Sequence, residues 1–394
     1  MGDIREITLG EVCLKITDGA HHSPKEVKGG KPMFSVKNMS DHGFDYNGVK
    51  TISEEDFNNL VNLGCQPEVD DILIAKDGSV MKHVFRAKGN IDYVLLSSIA
   101  IVRPNKAIVN SAFLVYAIKN PSTTDLILNN FVGGSGVPRI VLKDFRKVGF
   151  RIPNLKTQTE IAEVLSSLDD KIDLLHRQNK TLESMAEALF RQWFVEEAKE
   201  EWEVSKLGRY ISTNQKSIDK NYLHSHIYYL DTGSINSGKW GTLQYVNLSD
   251  APSRARRLVE HNDIIYSTVR PNQLHYGIVR NPIDNLVVST GFCVVNCHSI
   301  SPYFVYYLIT DEDMTERLHS IAEGSTSAYP SLRPKDIEDI FFRLPPQNTI
   351  QEFHMSVDTF WSKIEYNQKQ ILNLEMLRDS LLPKLMSGEV QVKL

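Results

Sequence analysis

Two stretches of the chain repeat apolar residues at alternating steps of four and three. From Ile161 these steps give Leu165, Leu168, Ile172, Leu175, Asn179, Leu182, Ala186, Leu189 and Trp193, with Asn179 the one polar member. From Phe353 they give Val357, Phe360, Ile364, Asn367, Ile371, Leu374, Arg378, Leu381 and Leu385. Such heptad stripes predict two long helices, each with a seam to bury. Pro153 and Pro345-Pro346 precede them, where the chain must be extended. Elsewhere the apolar runs are short. Ile72–Ala75, Tyr93–Leu96, Ile99–Val102, Ile264–Tyr266 and Leu286–Val288 predict strands, bounded by turns such as Lys88-Gly89-Asn90 and Asn281-Pro282.

Strands and helices alike occur in two copies. Shifted by 192 residues, Asp71-Ile72 meets Asp263-Ile264, Ser97 meets Ser289, and Pro138 meets Pro330. Lys143-Asp144 then meets Lys335-Asp336, and Phe150-Arg151-Ile152-Pro153 meets Phe342-Arg343-Leu344-Pro345. Leu9-Gly10 and Leu207-Gly208 mark the starts of the copies, 198 apart. One offset held over so many positions is the signature of a duplication. The expected architecture is α+β: two mixed α/β domains in pseudo-twofold tandem repeat, separated by two long antiparallel coiled-coil helices. The boundaries are residues 1–153 for the first domain, 154–200 for the first helix, 201–346 for the second domain, and 347–394 for the second helix and tail.

Each stripe packs either on its own domain or on the other stripe. Laid antiparallel, with Ile161 against Leu385, the stripes place Asn179 opposite Asn367 and small Ala186 opposite large Phe360. Two buried amides can satisfy one another and fix register, whereas one alone is costly. Arg378 opposite Leu168 is the misfit, and is expected to snorkel outward. The thirty-three residues from Ile161 to Trp193 make a rod of roughly 50 Å at about 1.5 Å each. At about 3.4 Å per base pair, that is a spacer of roughly one to one and a half DNA turns.

The chain has 394 residues and a net charge of −5, which taken alone argues against a polyanionic partner. The acidity is local: residues 160–201 hold eleven acids against five bases, leaving about +1 for the rest. Cys13, Cys65, Cys293 and Cys297 are scattered without zinc-site spacing, which fits a reducing cytoplasm. No signal peptide or membrane span is expected. His21-His22 is not expected to hold a metal, since neighbours on a strand point to opposite faces. Against an enzyme, the sequence shows no Asn-Pro-Pro-Tyr-type adenine pocket, no glycine-rich cofactor loop and no clear pair of metal-binding acids near a lysine.

The chain resembles the specificity subunits of type I restriction–modification systems over nearly its whole length. The resemblance rests on Leu9-Gly10 and Trp202–Gly208, on the turns Asp70–Leu73 and Asn262–Ile265, and on the segments from Phe150 and Phe342 leading into each helix. The tail Leu381-Leu382-Pro383-Lys384-Leu385-Met386-Ser387-Gly388-Glu389 adds to it. It implies two target recognition domains, each reading half of a bipartite double-stranded DNA site. It also implies docking of two modification subunits that methylate adenine, and of restriction subunits. Catalysis, S-adenosylmethionine, ATP and Mg would belong to those partners, with no cofactor in this chain, in a bacterial or archaeal cytoplasm.

Which residues touch DNA is a separate, physical question. Groove readers need Arg or Lys for guanine and phosphate, and Asn or Gln for adenine, on loops. The loop after the Ile72 strand carries Lys76, Ser79, Lys82, His83 and Arg86; its counterpart carries Arg270, Asn272, Gln273 and His275. Ser135 and Arg139 in a glycine-rich segment, and Ser327 and Tyr329 in its counterpart, form a second candidate region without a Walker pattern. Arg254, Arg256 and Arg257 form a basic cluster. The competing reading is a coiled-coil adaptor without sequence-selective DNA binding.

Overall fold

The structure is a computed structural model that describes residues 5–41, 43–134, 136–325 and 330–392. The chain forms two compact units. The first comprises Met1–His176 with Lys369–Leu394, and the second Arg177–Gln368. Each therefore holds one set of sheets and part of each long helix.

In the first unit the central sheet runs β1 (Cys13–Asp18), β6 (Ile99–Pro104), β3 (Ile72–Ala75), β4 (Val84–Arg86), all antiparallel. A second sheet is built on a parallel pair, β2 (Lys31–Phe34) and β5 (Val94–Leu95). Helix α1 (Ser111–Lys119) follows, capped by the Asn110 side chain. The first long helix, α2, covers Leu155–Arg191.

The second unit repeats this plan. Its central sheet runs β7 (Ile211–Thr213), β12 (Phe292–Cys297), β9 (Ile264–Ser267), β10 (Tyr276–Ile278). Its parallel pair is β8 (His226–Leu230) and β11 (Leu286–Ser289), flanked by Gln244–Asn247 and Ala255–Leu258. Helix α3 (Pro302–Thr310) is capped by Ser301, and the long helix α4 covers Gln347–Ser387.

The central strands read as continuous apolar runs because they are covered on both faces. Ile72 and Ile74 face one core with Val102, while Leu73 and Ala75 face another with Ile101. In the second unit Ile264 and Tyr266 face one core, and Ile265 the other.

The long helices bury their seams antiparallel within each unit. In the first, Ile161 and Leu165 share a core with Leu382 and Leu385, and Ile172 and Leu175 pack on Ile371. In the second, Ala186 and Phe190 share a core with Phe353 and Val357. There Asn367 Nδ2 donates to Asn179 Oδ1 at 2.8 Å and to Gln178 Oε1 at 2.9 Å, while Asn367 Oδ1 has no partner among the described residues. Arg378 escapes the seam sideways, with Nη1 2.9 Å from Asp169 Oδ1. The start of α2 is pinned by buried Gln158, which accepts from Asn110 N at 2.9 Å and donates to Pro153 O at 2.8 Å. Among the described residues no helix is long and apolar enough to cross a membrane, and no group of three or more His, Cys, Asp or Glu is placed to hold a metal ion.

Candidate nucleic-acid interface

In each unit, segments far apart in sequence are tied together at the end of the central strand. In the first unit β3 runs out into the loop Lys76–His83, which turns back through left-handed Gly78 and Met81. Gly78 N donates to Pro138 O at 2.8 Å, Ile140 N to Lys76 O at 3.0 Å, and Lys76 N to Ser98 O at 2.9 Å. The strand-end loop, the glycine-rich segment and the β5–β6 turn therefore form one surface. Ser79, Lys82 and Arg139 are exposed on it, and neither Lys82 nor Arg139 has an ion-pair partner among the described residues.

The second unit builds the same surface with different side chains. Arg270 N donates to Pro330 O at 3.0 Å, Leu332 N to Thr268 O at 2.7 Å, and Thr268 N to Gly291 O at 2.8 Å. Arg270 and Leu274 adopt left-handed backbone around the short turn Pro271–Gln273, which leaves Arg270, Asn272 and Gln273 exposed. His275 is half-buried, and its carbonyl accepts from Ser267 N at 2.8 Å. Arg254 joins the cluster because Thr290 N donates to its carbonyl at 2.8 Å.

Other candidates are placed differently. Lys76 is buried, its ammonium 3.2 Å from Asp18 Oδ2 and 3.1 Å from Asp77 Oδ1, so it braces the loop from beneath. His83 is turned to Asp41, with Nδ1 2.9 Å from Oδ1. Arg86 sits opposite Ile72, at the far end of the β3–β4 hairpin, and its Nη1 is 3.0 Å from Asp70 Oδ1. The Asp70 carboxyl is held below its ordinary range, first by the hydrogen bond from Lys106. Arg256 is exposed beside a strand irregularity, whereas Arg257 is half-buried, its Nε without a partner among the described residues. Ser135, Ser327 and Tyr329 lie outside the described residues.

Sequence reasoning missed one element of this surface. The turn after each parallel strand, Val36–Asn38 and Thr232–Ser234, reaches the same end. Val36 N donates to Ser98 Oγ at 3.1 Å, and a Cβ added at Gly291 would lie 2.9 Å from Thr232 Cγ2. Lys37 enters the surface in this way. The available signal was a polar turn after an apolar run, Ser35-Val36-Lys37-Asn38 and Asp231-Thr232-Gly233-Ser234.

A family model for the type I restriction modification DNA specificity domain matches residues 1–184. The type I restriction enzyme MjaIX specificity subunit of Methanocaldococcus jannaschii is 28% identical over 312 residues, 72% of this chain and 70% of that protein. The MjaVIII specificity subunit of the same organism is 23% identical over 399 residues, covering 94% and 91%. The fold is similar to the crystal structure of the type I restriction–modification S subunit from M. genitalium, with a TM-score of 0.59 at 16% identity over 98% of this chain and 96% of that one.

Proposed function

The chain belongs to the specificity subunits of type I restriction–modification systems, and from that premise we propose how its repeats divide the work. A specificity subunit recognises the DNA target and is non-catalytic; methylase and restriction activities lie in other subunits. Residues 1–153 read one half of a bipartite site and residues 201–346 the other. The helical segments 154–200 and 347–394 set the gap between the halves and dock two modification subunits. S-adenosylmethionine serves the modification subunits, ATP and Mg the restriction subunits, and the complex works in the cytoplasm.

One observation carries this reading: both repeats tie the same segments into one exposed surface and furnish it with different side chains. The first surface exposes Lys37, Ser79, Lys82 and Arg139, and the second Arg254, Arg270, Asn272 and Gln273. Exposed cations suit phosphate, which positions the protein, while exposed amides suit the donor–acceptor pattern of adenine. Kept framework with altered tips is what two readers of different half-sites require.

The test is genome-wide mapping of methylated adenine after expressing the chain with its modification subunit. A split motif that disappears when the chain is omitted supports the reading. Methylation indifferent to the chain contradicts it and favours the adaptor.

A further inference from the structure

The two units also share a cleft between α1 or α3 and the long helices, and its contents differ. In the first unit the cleft is about 290 Å³ and Arg378 lines it, donating through Nε to Asp379 Oδ1 at 2.8 Å and lying 2.9 Å from Asp169, which accepts from Tyr116 Oη at 2.7 Å. Shifted by 192 residues, Arg378 becomes Ala186, Asp379 becomes Glu187, Glu375 becomes Glu183 and Asp169 becomes Trp361. Tyr116 and Tyr307 are the sixth residues of α1 and α3. The second unit thus keeps acids at two of these positions and a tyrosine, but has neither the guanidinium nor the aspartate that holds it in the first.

What remains in the second unit is a cleft of about 170 Å³, walled by Tyr276, Tyr306, Tyr307 and Trp361 with Glu183 and Glu187 on its rim. Tyr306 makes a corner with its neighbours, its ring centroid 6.0 Å from Tyr276 at 79° and 5.9 Å from Trp361 at 89°. Tyr306 is 6% exposed, and its hydroxyl has no hydrogen-bond partner among the described residues. Gly238, in left-handed backbone, keeps that hydroxyl uncovered: a Cβ there would lie 2.9 Å from it. Neither glutamate has an ion-pair partner among the described residues, although Arg191 also lines the cleft. Burial pushes the Glu183 carboxyl above its ordinary range, against a weaker pull from Lys239. Two like charges one helical turn apart repel, and aromatic faces attract a cation.

We propose that this cleft binds an alkylguanidinium group from outside the chain, its charge on Glu183 and Glu187, its stem against the aromatic wall and one N–H donating to Tyr306. The group comes either from a free small amine or from an arginine of an associated subunit.

The test titrates agmatine into the full chain, reading tryptophan fluorescence and melting temperature. Wild type should show a saturable response, and 1-butanol, which has a similar stem and no charge, should show none. Glu183→Gln with Glu187→Gln should weaken agmatine binding about tenfold or more, an effect of about 1.4 kcal/mol. Tyr306→Phe, which removes only the hydroxyl, should weaken it severalfold, and this arm stands should the double variant fail to fold. No saturable response from wild type, or equal affinity in all folded variants, overturns the proposal. Agmatine that also loosens assembly with the modification subunit identifies a protein arginine as the source; agmatine that binds without affecting assembly identifies a free amine. The binding arm does not depend on DNA reading, so failure of one leaves the other standing.

Discussion

The two repeats bury the same aspartate and neutralise it differently. Asp71 and Asp263 each accept from a backbone N–H three residues earlier, Glu68 at 2.7 Å and Glu260 at 2.6 Å, which closes the left-handed turn at Asp70 and Asn262. In the first repeat Arg103 covers the carboxylate with two hydrogen bonds of 2.9 Å each. In the second, Asn296 donates a single amide hydrogen at 2.6 Å and brings no charge. Desolvation there pushes the Asp263 carboxyl up to about 6. The turn demands an acceptor at this position, so both copies keep it. It does not dictate how the charge is balanced, and there the copies have parted.

The comparison breaks most readily at Arg103. Arg103→Asn gives the first repeat the chemistry of the second, and should cost about 2–3 kcal/mol by urea unfolding. That lies below the full cost of orphaning a buried charge, because Arg103 is partly exposed. A loss under about 0.5 kcal/mol would mean that Asp71 does not need its partner.

The next effect concerns the Asn179–Asn367 amide pair, with a member from each repeat's helix. Asn179→Leu takes from Asn367 Nδ2 one of its two acceptors and should cost about 1 kcal/mol, while the double change to leucine should cost less. A double-mutant cycle should return at least about 0.5 kcal/mol of coupling; none would mean that the amides act independently.

Smaller effects lie on the proposed DNA surface. Arg139→Ala in the first repeat and Arg254→Ala in the second should each lower the slope of log affinity against log salt by about 0.9, with no change in sequence preference. An unchanged slope would remove that residue from the phosphate contacts.

The smallest is a pH effect confined to the second repeat. The folded value for Asp263, about 6, lies above the ordinary 3.8, so between them the folded state holds the extra proton. Its contribution to stability is therefore present at low pH, falls as pH rises through that window, and is absent above about 6. Asp263→Asn should flatten this dependence between pH 4 and 7, as followed by melting temperature. A variant as pH-sensitive as wild type would exclude Asp263 as the source.

Much of the frame was legible because it rests on periodicity. The heptad stripes run within α2 and α4 except for Trp193, which lies in the π-helical turn Gln192–Glu196 after α2, and the 192-residue offset relates two sheets of identical strand order. The amphiphilic Lys31–Phe34 strand was not legible, since a four-residue run with a proline carries too little pattern to register. The site was half legible. Exposed Ser79, Lys82, Arg139 and Asn272 stand where loop composition suggested, because turn residues must sit at a surface. Lys76 and Arg86 misled for one reason. Their spacing in sequence says nothing of Asp18 and Asp70, the acids that hold them, which come close only through sheet pairing.

The most direct test of the central claim is to replace Asn272 and Gln273 with alanine and map the methylated motif of the assembled complex. One repeat reading one half-site predicts that one half of the split motif relaxes, by about 1–3 kcal/mol of discrimination per lost base contact, while the other half and the gap stay as they were. A motif unchanged in both halves, or altered in both, would contradict the account.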